Sequence, residues 1–138
     1  MKTEVLNWKE EYSVGLETVD IQHKKFLAII NELGDCIADK TFKEKGHHLF
    51  FALINFANVY LLKEKMLVNS LNELDYSFFR GKHIAFLKHL QDFQLKYEKQ
   101  STEQVFFDLY NYLKKMYPEF LAYYTPSLVA ILKENGIN

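Results

Sequence analysis

Apolar residues in this chain recur with the period of a helix over four long segments, and almost nothing recurs with period two. A sequence patterned this way cannot bury its hydrophobic groups as a sheet, so helices must pack on helices. The first helix is expected from about Ile21 to Asp39, with His23, Leu27, Ile30, Leu33 and Ile37 on its inner stripe. Thr41 and Glu44 have the spacing of a capping box, which opens a second helix that ends near Leu71. Its inward face reads Leu53, Ala57, Tyr60, Glu64, Leu67 and Leu71. A third helix, from about Tyr76 to Lys99, presents Phe79, His83, Phe86, Leu90, Phe93 and Tyr97. Ser101 with Gln104 suggests the next cap, and the fourth helix carries Val105, Leu109, Leu113 and Met116 toward Pro118. Proline lacks a backbone donor and crowds the preceding turn, so this helix is expected to end or kink there. A short last helix should start at Thr125-Pro126 and stop before Gly136.

The expected fold is therefore all-α: an antiparallel up-down four-helix bundle with an extended N-terminal arm and a short C-terminal helix. Residues 1–138 suit one domain, a length that can bury a core without disulfides or a structural metal. With 49% hydrophobic and 25% charged residues the chain is globular, and a net charge of -1 gives no basic surface for nucleic acid. The one cysteine, Cys36, cannot form an internal bridge and suits a reducing compartment. The N-terminal residues lack the apolar run of a signal peptide, and the run Leu49 to Leu62 is too short to span a bilayer. A cytoplasmic protein without membrane contact is expected. No nucleophile, base and orienting group are arranged for catalysis, nor is there a glycine-rich phosphate loop, so no enzyme activity is expected.

The stretch Trp8 to Asn31, WKEEYSVGLETVDIQHKKFLAIIN, closely resembles the opening of bacterial hemerythrins. The resemblance implies a four-helix bundle whose core histidines and carboxylates hold two oxygen-bridged irons that bind O2. Asp20, Gln22 and His23 reproduce the family's first ligand motif. The family's His-x-x-x-Glu on the second helix here reads Tyr60 to Glu64, and its His-x-x-x-His on the third reads Phe79 to His83. Aligning Tyr112-Leu113 to the aromatic-Leu pair of the fourth helix sets Met116 and Leu121 where a histidine and an aspartate belong. Of the ligand positions, His23, Glu64 and His83 remain. His89 is turned about 240° from His83 around its helix, and His47 and His48 are simpler as surface residues.

Phe79 and Leu121 offer no donor, and the Met116 thioether suits a ferric-oxo centre poorly. Bulky apolar replacements instead fill the space that metal and ligands would occupy. The leading expectation is a metal-free hemerythrin-like module for interaction or signalling, with no cofactor and with Glu64 held by Tyr60, His23 and His83. The alternative is residual metal or O2 sensing, in which His23, Glu64 and His83, with Tyr60 as fourth ligand, bind one divalent ion or non-haem iron. A haem pocket using His23 or His83 with Met116 has no attachment motif to support it. The expected partner is another protein or a second copy, met through aromatics from the doublets Phe50-Phe51, Phe78-Phe79, Phe106-Phe107 and Tyr123-Tyr124 that stay exposed.

Overall fold

The computed structural model describes residues 6–67 and 73–136, with the side chains of residues 61, 64–67 and 73–80 outside that description. Helix α1 spans Glu17–Ala38, α2 Phe42–Leu67, α3 Glu73–Lys99, α4 Glu103–Ala122 and α5 Pro126–Glu134, after a 3-10 turn at Glu10–Tyr12. Among the described residues there is no strand. Helix α1 packs against α2 and α4, and α3 packs against the same two. None of these helices is long and apolar enough to cross a membrane.

α1 begins a turn earlier than Ile21. The Asp20 carboxylate accepts hydrogen bonds from the Val14 N–H at 2.9 Å and from the Ser13 hydroxyl, which ties the incoming chain to the first turn. Gly15, at φ 81°, makes the turn just before it. The end of α1 is a Schellman motif: the Thr41 N–H donates to the Cys36 carbonyl at 3.0 Å and the Lys40 N–H to that of Ile37 at 3.3 Å. Lys40 occupies the left-handed position there, at φ 56°.

Two expected caps do not form. The buried Thr41 hydroxyl makes no capping bond, and α4 is preceded by Thr102 without a side-chain cap. Ser101 instead donates back to the Tyr97 carbonyl at 3.0 Å, and Gln104 donates to Asp108 at 2.8 Å. α3 starts at Glu73 rather than near Tyr76. The expected continuation of α2 to Leu71 falls on residues 68–72, outside the described ones.

The larger correction concerns Pro118, which does not end α4: the helix runs on through it to Ala122. Its ring lies on the exposed face, where water can satisfy the carbonyl left without a helical donor, while Tyr117 and Phe120 on either side are buried. Burying those two rings is worth several kcal/mol, more than the roughly 3 kcal/mol that an interior proline costs a helix. α5 starts as expected, with Pro126 in its first turn and the Thr125 side chain accepting from the Leu128 N–H at 3.2 Å.

Phe26 of α1 centres the core, its ring 5.2 Å from both Phe56 and Phe120 and 5.7 Å from Phe86. The N-terminal arm is fastened to α1 by Asn31, whose side chain accepts from the Leu6 N–H at 2.8 Å and donates to the Leu6 carbonyl at 2.6 Å. Trp8 then stacks edge-on to Tyr12, and Tyr12 to Tyr117, each at 5.8 Å. A second, smaller cluster joins Leu16 and Val19 of the α1 entry to Tyr124 and Leu132 of the C-terminal segment.

Candidate functional site

Helical period brings His23, Tyr60 and His83 to the inner faces of α1, α2 and α3, where each is at least 95% buried. The His23 Nε2 lies 3.0 Å from the Tyr60 hydroxyl, which in turn stands 3.4 Å from that of Tyr124. His83 meets the Tyr60 ring edge-on at 5.0 Å between centroids. The three sequence-predicted residues with described side chains therefore do converge. Glu64 lies one turn beyond Tyr60 on α2, but its side chain, like that of Phe79, falls outside the described residues.

Burial lowers the pKa of His23 to about 4, and the Asp20 carboxylate only partly opposes this. His83 is also lowered to about 4, first by burial and then by its proximity to His23. Both rings are neutral at pH 7. The His23 Nδ1 is buried without a hydrogen-bond partner. A bare lone pair costs less there than a bare N–H, which favours the tautomer with the proton on Nε2. His23 then donates to Tyr60, and Tyr60 donates onward to Tyr124. The neighbouring Gln22 amide is buried with neither of its polar atoms hydrogen-bonded.

The side chain standing among these groups is Phe120. It is fully buried, stacked on Tyr60 at 5.5 Å and edge-on to His83 at 5.7 Å. Met116 and Leu121, at the positions that a hemerythrin resemblance gives to ligands, are only half-buried at the border of the core. Sequence reasoning missed Phe120 and Tyr124 because it stopped the fourth helix at Pro118. Continued through the proline, the stripe Leu109, Leu113 would have run on to Tyr117, Phe120 and Tyr124. The excluded histidines are where they were expected: His47, His48 and His89 are exposed.

Two imidazoles and two phenols in an apolar shell can hold a chain of neutral hydrogen bonds. These described side chains do not fit a pair of irons, because a diiron centre needs several more nitrogen and oxygen donors and the Phe120 ring packs against Tyr60 and His83 instead. Among the described residues, no three His, Cys, Asp or Glu side chains gather closely enough to hold a metal ion. Compared with known proteins, the chain matches no family model and no curated protein.

Proposed function

We propose that this chain is an antiparallel up-down four-helix bundle of the hemerythrin kind, its metal centre replaced by packed rings. Its role on this reading is protein interaction or signalling in the cytoplasm, not O2 transport. The antiparallel arrangement is supported by the ring of neighbours α1, α2, α3 and α4 and by the short connections after α1 and α3. The observation that carries the metal-free reading is the Phe120 ring packed against both Tyr60 and His83, with the His23 Nε2 already engaged by Tyr60.

Exposed apolar groups support the interaction role. Phe51 and Leu62 lie eleven residues apart on α2, as do Ile84 and Leu95 on α3, and all four are at least 49% exposed. Eleven residues bring a helix to within about 20° of the same face, so each pair forms one row. Of the doublets with described side chains, only the second ring of Phe50-Phe51 is exposed in this way.

The row on α2 reads Phe51, Asn55, Asn58 and Leu62, which is apolar, amide, amide, apolar in either direction, with no charge. A surface of that order is complementary to itself. A copy related by a two-fold axis between the two asparagines sets Phe51 against the partner's Leu62 and Asn55 against the partner's Asn58, amides that each donate and accept. The favoured partner is thus a second copy of the chain.

The metal-free reading is tested by metal analysis and thermal melting of protein purified without chelator. The expected result is sub-stoichiometric metal and a melting temperature unmoved by chelator. Residual ion binding by His23, Glu64 and His83 with Tyr60 gives the opposite: one ion per chain and a chelator-induced drop that His23→Ala abolishes.

A further inference from the structure

The N-terminal arm and α5 border an open cleft of about 530 Å3, within the range of small-molecule sites. Its walls mix polar and apolar groups, with Leu121, Val129, Ala130 and Tyr12 among the apolar ones, and with Tyr124 shared between the cleft and the histidine cluster. Two charged side chains line it, Glu11 and Lys133. Glu11 has a partner in Lys9, at 4.0 Å. Lys133 has no carboxylate within ion-pair distance among the described residues.

The Lys133 amine lies close to the backbone of the arm. A methyl group built on Gly15 would stand 3.4 Å from Nζ and 3.9 Å from a Val129 methyl, so the ammonium lies over the glycine at the junction of arm and helix. Glycine at φ 81° lets the arm turn there, and Lys133 itself lines the cleft. The result is an open, partly apolar cleft that carries a lysine without an ion-pair partner among the described residues, its one lining carboxylate, Glu11, being paired with Lys9.

We propose that this cleft binds a small monocarboxylate with an apolar body. The carboxylate would meet Lys133 in a charge-assisted hydrogen bond, and the body would lie against Leu121, Val129 and the Tyr12 ring. Apart from Tyr124, which borders both sites, this inference does not rest on the reading of the histidine cluster, because neither Lys133 nor Val129 nor Tyr12 belongs to that cluster.

Calorimetry with octanoate, octan-1-ol and octylammonium tests it on the full chain. Octanoate should bind saturably at one site, with the alcohol and the ammonium at least about tenfold weaker, a difference of about 1.4 kcal/mol. Lys133→Met should reduce octanoate to the affinity of the alcohol and leave the alcohol unchanged. Ala130→Phe, on the exposed face of α5, should fill the cleft and weaken both, and circular dichroism should show both variants folded as wild type. No saturable binding, equal binding of acid and alcohol, unchanged octanoate affinity in Lys133→Met, or full affinity in Ala130→Phe would each overturn the proposal.

Discussion

Gly46 is where α2 comes closest to its neighbours. A Cβ built there would lie 2.7 Å from both the Phe106 ring and the Tyr97 hydroxyl. Tyr97 is fixed in turn by donating to the Phe42 carbonyl at 3.2 Å, so the clash cannot be relieved by a side chain swinging away. Gly46→Ala should destabilise by about 2 kcal/mol, although alanine is the better helix former, and the midpoint of urea unfolding reads this directly. The two histidines make the other prediction at this scale. Their folded pKa values, about 4, lie below the unfolded 6.5, so the unfolded chain binds more protons between those values. Stability should therefore be full above pH 6.5, fall as pH drops toward 4, and level off below it. Each ring contributes up to about 3 kcal/mol, less in sum because their mutual repulsion is shared. Urea midpoints across this range should slope downward toward acid, and His83→Leu should flatten the slope; a flat wild-type profile would contradict neutral burial.

Among the elements, α1 ends on a residue whose type opposes its conformation. Lys40 sits at φ 56°, a position glycine adopts without strain, and Lys40→Gly should raise stability by about 1 kcal/mol in thermal melts. A fall would mean that the lysine side chain supports the turn in some other way. The element boundaries show how far local signals reach. Thr125-Pro126 was legible because a capping side chain and a proline act within one turn. Pro118 was misleading for the same reason: its local effect is real, but burial of Tyr117 and Phe120 outweighs it, and those contacts come from α1, α2 and α3.

For the whole molecule, the proposal of a second copy as partner predicts self-association. Wild type should show a concentration-dependent dimer in light scattering. Phe51→Glu should shift it to monomer at unchanged helicity, because two carboxylates would then be buried against the partner's apolar side chains. A wild type that stays monomeric at high concentration would remove the second copy as the partner. Asn55→Asp with Asn58→Asp should act in the same direction through like-charge repulsion.

Sequence by itself determined the all-helical class, the inner stripe of α1, the burial of Phe86, Leu90 and Tyr97 on α3, and the inward placement of His23, Tyr60 and His83, since each comes from residues spaced within one helix. Only the tertiary structure decided what stands among the buried histidines. Phe120 and Tyr124 lie far along the chain from His23 and Tyr60, and their contacts depend on how α4 sits against three other helices. The cleft beside Lys133 is decided in the same way. It exists because Gly15 and α5, at opposite ends of the sequence, are brought together by the burial of Leu16, Val19, Tyr124 and Leu132, an association that no local periodicity encodes.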